Sequence, residues 1–121
     1  MKYAALLTND ADAVAAWEQM SPEEAAAARA EEVPKWEALF SELGPSGAIG
    51  AGFELDSPKT SKVVRVRDGE RLVTDGPFAE TREILGGVFV ADLPDLDEAI
   101  RLAGLIPSAK HGAIEIRPVL Q

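Results

Sequence analysis

The segment Lys2–Thr8, with the sequence KYAALLT, decides the fold because it predicts a β-strand that is apolar on both faces. Side chains alternate across a strand, so Tyr3, Ala5 and Leu7 fall on one face and the apolar residues between them fall on the other. Such a strand needs cover on both sides. We therefore expect helices of the chain to cover one face, and a second copy of the chain to cover the other through a two-fold pairing of sheets.

Two helical segments are predicted directly after this strand. A short helix is expected over residues 11–19. The next begins at Ser21-Pro22-Glu23-Glu24, which supplies a serine N-cap, a proline in the first turn and a glutamate for the reciprocal bond of a capping box. We expect it to run to about Glu32, and Pro34 either to kink it or to begin a new helix. The later part places Trp36, Leu39, Phe40 and Leu43 on one side, which is the spacing of a buried stripe.

The remaining sequence predicts strands and one further helix. The strands are expected at residues 48–55, 61–67, 71–74, 86–92 and 113–119. Asp68-Gly69 is a hairpin turn signal, and Asp95-Leu96-Asp97-Glu98 is a second capping box that opens the helix. This order predicts a single α+β domain over residues 1–121: a ferredoxin-like βαββαβ antiparallel sheet with an extra β-hairpin and helices on one face.

Composition and charge exclude several classes of function. The 121-residue chain contains no cysteine, which excludes disulfides, thiolate chemistry and cysteine-based zinc sites. Its formal net charge of −9 repels a phosphate backbone, so no nucleic-acid partner is expected. No apolar run approaches the ~20 residues that span a bilayer, and the apolar part of the N-terminus is too short for a signal peptide. We therefore expect a cytoplasmic protein with no membrane partner.

The segment Thr74–Glu83 contains the most constrained loop of the chain, Asp75-Gly76-Pro77-Phe78. Glycine reaches backbone conformations that are closed to other residues, and proline fixes its own φ and restricts the residue before it. A loop of this kind holds a carboxylate in one place. We predict that a ligand-binding cleft lies beside it, with Gly76, Pro77 and Phe78 contributing to the binding site.

Asp75 and His111 are the candidate catalytic residues. If Phe78 and a neighbouring strand desolvate Asp75, its pKa rises and it can exchange a proton near neutral pH. The alternative is that Asp75 caps the backbone donors of its own loop. His111, the only histidine, can line the pocket and pair with Asp75 or Glu80, or it can be a surface residue.

Three further residues are candidate ligand contacts. Glu80 and Arg82 follow the loop and can form local ion pairs, or Arg82 can bind an anionic ligand in bidentate geometry. Tyr3 can point into the dimer interface or into the cleft. A single histidine without cysteines does not predict a metal site. No GxGxxG motif, phosphate loop or nucleophile elbow is present in the sequence, so no cofactor is expected.

Five stretches carry a resemblance to a known family. They are Val64–Gly69, Val73–Glu83 with its Asp-Gly-Pro-Phe run, Leu85–Gly87, Asp92–Ala99 and Gly112–Val119. On these residues the chain resembles the YCII-related proteins, specifically the DGPF-domain branch. The resemblance covers nearly the whole chain from Lys2.

The resemblance implies a dimeric α+β barrel, in agreement with the predicted order of elements. It also implies that most members of this branch have no assigned reaction, and that some occur beside or fused to extracytoplasmic-function sigma factors. In the wider group, some members resemble muconolactone isomerases or act as dehydrochlorinases, and a His–Asp pair is proposed as catalytic. The N-terminal half of this chain has no histidine, so that histidine is not carried over by position.

Three hypotheses about function follow from these residues and this resemblance. In the first, the homodimer binds a small organic molecule in the cleft beside Asp75–Phe78. In the second, the chain is a cofactor-free lyase or isomerase that moves protons on a small ring compound, with Asp75 as base and His111 as partner. In the third, it is a regulatory or protein-interaction module connected to a sigma-factor system.

Overall fold

The computed structural model describes residues 1–43, 49–77 and 82–120. The strands are β1 (Lys2–Asp10), β2 (Ile49–Glu54), β3 (Lys62–Arg67), β4 (Glu70–Asp75), β5 (Glu83–Asp92) and β6 (Gly112–Pro118). The helices are α1 (Ala11–Glu18), α2 (Pro22–Leu43) and α3 (Leu96–Ala103), with short 3-10 turns at Pro58–Thr60 and Pro107–Lys110. None of the helices in these described ranges is both long enough and apolar enough to cross a membrane.

The main sheet has four strands in the order β2-β5-β1-β6, and every neighbouring pair is antiparallel. This is the strand order of a ferredoxin-like fold, so the predicted α+β class is confirmed. β3 and β4 form a separate two-stranded sheet, which is the extra hairpin. Its turn is Asp68-Gly69, where both residues have positive φ, 50° and 78°, as a tight hairpin turn requires.

The two faces of β1 differ in burial as its alternating sequence predicts. Tyr3, Ala5 and Leu7 are buried in the core, and the residues between them are partly exposed. This core also contains Leu39 of α2, Leu102 of α3 and Ile106, which follows α3. Helices therefore cover one face of the sheet, and the opposite face has no cover from the described part of this chain.

The first of the two predicted capping boxes forms with both of its bonds. At the second, only the Asp95 side chain caps the helix, because the Glu98 carboxylate is bonded to Arg101. The Ser21 backbone N–H donates to Glu24 Oε1 at 3.2 Å, and the Glu24 backbone N–H donates to Ser21 Oγ at 3.1 Å. The Glu98 backbone N–H donates to Asp95 Oδ1 at 2.9 Å. These bonds satisfy N–H groups that the first turn of a helix leaves unpaired, so both helices begin where the sequence predicts.

A single helix continues through Pro34, so the alternative in which a new helix begins there is wrong. Proline removes one intrahelical bond and displaces the carbonyl four residues earlier, which belongs to Ala30. Both Pro34 and Ala30 are exposed, so water can satisfy the freed carbonyl.

Helix α2 is attached to the rest of the molecule mainly near its C-terminal end. Leu39 is 1% exposed, and Glu42 Oε2 accepts a bond of 3.3 Å from Arg101 Nη1 of α3. The N-terminal half is rich in alanine, and Ala25 and Ala28 line a cavity beneath it. Because alanine side chains are too short to fill the space above the sheet, a cleft separates this half of α2 from the strands.

We expect Gly112→Ala to destabilise the protein, because a Cβ at this position would overlap the Thr8 carbonyl oxygen of the paired strand. The strands must move apart, at a cost of about 1–3 kcal/mol in the free energy of unfolding. Urea denaturation measures this cost. Gly104→Ala is the control, because Gly104 is exposed and has ordinary helical φ and ψ of −64° and −18°. Equal stability of the two variants would contradict the expectation.

Candidate functional site

The cleft between α2 and the sheet consists of two adjacent cavities that share some of their lining residues. The larger, about 600 Å³, lies between α2 and strands β1, β2 and β5. The smaller, about 410 Å³, lies between α1, the first turns of α2 and the end of β2. We call these the large cavity and the small cavity. The residues that line both, which we call the junction, are Asn9, Arg29, Glu32, Glu54, Gly86 and His111.

Apolar and aromatic side chains form most of the walls. Trp36 and Phe40 of α2 line the large cavity and stack on each other, with ring centroids 6.0 Å apart and an angle of 30° between the planes. Phe89 of β5 lines the same cavity. Trp17 of α1 and Met20 line the small cavity. Apolar walls around a few polar groups are typical of sites that bind small organic molecules.

An ion pair joins α2 to β2 at the junction. Arg29 Nη1 donates to Glu54 Oε2 at 3.0 Å, and Arg29 Nη2 donates to Glu54 Oε1 at 2.6 Å, so the pair is bidentate. These bonds raise the pKa of Arg29, with further contributions from the charges of Glu54 and Glu32. Glu32 lies three residues after Arg29, on the same face of α2, and is partly buried. One guanidinium therefore faces two carboxylates.

Of the two predicted catalytic residues, Asp75 and His111, it is His111 that lies at the cleft. It lines both cavities, and its backbone carbonyl accepts a bond of 3.4 Å from the Asp10 backbone N–H. That bond fixes the residue next to the end of β1. The imidazole is exposed, so it has access to solvent as well as to the cleft.

Asp75 has a different environment from the one expected. It ends β4, its side chain is 83% exposed, and its carboxylate is bonded to the Lys62 ammonium on the paired strand. This bond and the charge of Lys62 lower the pKa of Asp75, whereas desolvation by a pocket would raise it. Of the residues described, those lining the two cavities do not include Asp75. The structure therefore does not bring Asp75 and His111 together at this cleft.

The two described residues after Asp75 offer its carboxylate no free backbone N–H to cap. The Gly76 backbone N–H donates to the Ser61 carbonyl at 2.9 Å, and Pro77 has no N–H. The Gly76–Pro77 peptide bond is cis. Ser61 Oγ donates to the carbonyl of Pro58 at 2.6 Å, and Pro58 lines the small cavity. Gly76 and Pro77 are not among the described residues that line the two cavities.

Tyr3 is a core residue and is not among the described residues that line the two cavities. It is 6% exposed, and its hydroxyl donates to Met1 Sδ at 3.5 Å. The void beside it is about 20 Å³, which is too small for an organic ligand. Arg82 is exposed and accepts a 2.9 Å bond from the Ala11 backbone N–H through its carbonyl. Phe78 and Glu80 lie outside the described residues.

Sequence reasoning missed the junction residues Arg29, Glu32 and Glu54. One signal was available: residues 29, 32 and 36 follow the three- and four-residue spacing of one helical face. Arg29 and Glu32 share this face with Trp36, which belongs to the predicted buried stripe. Charged residues beside a buried aromatic residue indicate a helix face that is only partly buried, as at the wall of a cleft. Within the described ranges, no group of three His, Asp or Glu side chains is arranged to hold a metal ion.

Comparisons with known proteins agree with this architecture. A family model described as the YCII-related domain matches residues 1–121. The chain is also 31% identical over 121 residues to a protein of Rhizobium meliloti (strain 1021) that is described as "Uncharacterized protein R00369". That match covers 98% of this chain and 92% of the relative.

We expect the pKa of Asp75 to lie below the ordinary aspartate value, and to rise towards it in Lys62→Gln, because Lys62 is the cause of the lowering. Carboxyl ¹³C NMR titration measures both values, and Lys59→Gln is the control. A lowered pKa in the folded state stabilises the fold above the ordinary aspartate pKa, and this contribution disappears as the pH falls through the lowered value. A raised pKa would instead support Asp75 as the proton-transferring group.

Proposed function

The chain belongs to the YCII-related family, and from that premise we propose that it binds a small organic molecule in the cleft between α2 and the sheet. The observation that carries this proposal is the large cavity of about 600 Å³, whose aromatic walls meet a compact group of polar side chains at one edge. Within the family we place the chain in the DGPF branch, on its Asp75-Gly76-Pro77-Phe78 run.

The dimensions and chemistry of the cleft support this function. Sites for small molecules have volumes of about 300–1,000 Å³ and use a few polar groups to orient an apolar ligand. In the large cavity, Trp36, Phe40 and Phe89 supply flat apolar surface. The Arg29–Glu54 pair and His111 supply polar groups at one end. A ligand with an apolar body and one polar end fits this distribution.

Val33→Glu is expected to weaken binding of the neutral fluorescent probe N-phenyl-1-naphthylamine about fivefold or more, because a charge replaces part of the apolar wall of the large cavity. Val33 is 50% exposed, so the substitution is compatible with folding. Titration of probe fluorescence measures affinity. Ala30→Glu is the matched control, with the same charge change on an exposed residue of the same helix. Equal affinity in both variants, or no binding to the wild-type protein, would contradict the proposed site.

We also propose that the protein is a homodimer, because two apolar surfaces of the described chain are uncovered. The first is on the sheet face opposite the helices, where the strand register places Ala4, Leu6, Phe53, Val88 and Val90 beside the Glu115–Arg117 ion pair of β6. The second is the hairpin, on which Val64, Val66, Leu72 and Val73 are all exposed. An isolated two-stranded hairpin is marginal in water, so contact with a second copy would stabilise it.

Light scattering is expected to give a mass of twice 12.9 kDa at micromolar concentration. Phe53→Glu should shift the protein towards monomer, because Phe53 is 70% exposed on the sheet face that we assign to the interface. Phe40→Glu is the control, with the same change on a half-exposed residue of the helical side. A monomeric wild-type protein would refute the proposed dimer, and dissociation by both variants would refute its assignment to the sheet face.

A further inference from the structure

The charges around the cleft distinguish between classes of ligand. Among the described residues that line the two cavities, Arg29 is the only lysine or arginine, against the three carboxylates of Glu32, Glu54 and Asp56. The chain as a whole also has a formal net charge of −9. An anionic ligand entering the cleft therefore meets a negative potential, whereas a cationic ligand is attracted.

The one guanidinium is already engaged. Both terminal nitrogens of Arg29 donate to the two oxygens of Glu54, at 3.0 and 2.6 Å. This pair uses two of the five N–H donors of the guanidinium, and the adjacent Glu54 carboxylate offsets its positive charge. Arg29 therefore attracts an incoming carboxylate or phosphate less strongly than an unpaired guanidinium would.

Glu32 is the carboxylate that remains for a ligand. It is partly buried, lines both cavities and makes no hydrogen bond or ion pair within the described part of the chain. It acts on Arg29 through longer-range Coulomb attraction. Partial burial strengthens its interaction with any cation that enters, because less water screens the charge.

Aromatic rings lie beside this carboxylate. Trp36 follows Glu32 by four residues on the same helical face and lines the large cavity with Phe40. Trp17 lines the small cavity. Aromatic faces attract cations, most strongly for tryptophan, and cages of aromatic side chains recognise quaternary ammonium ligands.

We propose that the cleft selects an organic cation: an apolar, preferably flat body that carries an amine or quaternary ammonium group. Glu32 is the charge partner of the ammonium group, and Trp36 and Phe40 contact the apolar body. The Arg29–Glu54 pair remains intact when the ligand binds, and it forms the boundary of the binding site at the junction. This inference rests on the proposed function, because it names the class of molecule that the same cleft binds.

The test compares three probes that share one ring system and differ in charge: 1-naphthylmethylammonium, 1-naphthylmethanol and 1-naphthoate. Isothermal titration calorimetry at constant ionic strength gives their affinities. The indole N–H signals in ¹H–¹⁵N NMR spectra report the location, because the only two tryptophans of the chain, Trp17 and Trp36, line the two cavities. Glu32→Gln removes the proposed charge partner. Glu31→Gln is the matched control, with the same charge change on an adjacent, exposed residue.

The expected result is that the ammonium probe binds about tenfold more tightly than the alcohol and more tightly still than the carboxylate, with shifts of the indole signals. Glu32→Gln should remove most of this preference, and Glu31→Gln should change it less than about twofold. Equal or tighter binding of the alcohol or carboxylate in the cleft would overturn the inference and leave the proposed function standing. If no probe binds or shifts an indole signal, both are overturned.

Discussion

The site depends on the way in which α2 is attached to the sheet. Leu39 is almost completely buried against the core, and the Glu42–Arg101 contact ties the same end of the helix to α3. At the other end, alanine side chains leave space above the strands, and the Arg29–Glu54 pair connects helix and sheet across it. Ala25 and Ala28 line the small cavity at this end, and the large cavity continues along α2 as far as Phe40. The burial of Leu39, together with small side chains at the other end of the helix, therefore leaves an opening above the strands.

Much of the fold could be predicted because its signals are local. Alternation in β1, the capping box at Ser21, the Asp95 N-cap and the Asp68-Gly69 turn each involve a few neighbouring residues, and each appears in the structure. The continuation of α2 through Pro34 was not predictable in this way. It depends on whether the carbonyl freed by proline faces solvent, which is a property of the folded surface and not of the local sequence.

The site was predicted less well, because its residues meet only after folding. His111 was selected as the only histidine, and it does line the cleft. Asp75 was selected for the rigidity of its loop, but rigidity does not determine what a carboxylate faces, and Lys62 on the paired strand is its partner. Arg29 and Glu54 are separated by 25 residues, and no local motif connects them. The face of α2 that carries Arg29 and the edge strand β2 that carries Glu54 come together at the cleft only through tertiary packing.

The most direct test of this account is a crystal structure of the protein as purified from its expression host, with mass spectrometry of any compound that co-purifies. We expect an open cleft between Trp36 and strand β5, bridged by the Arg29–Glu54 pair and containing density for a bound molecule or ordered solvent. A structure in which the N-terminal half of α2 lies directly on the sheet, with side chains filling both cavities, would contradict it.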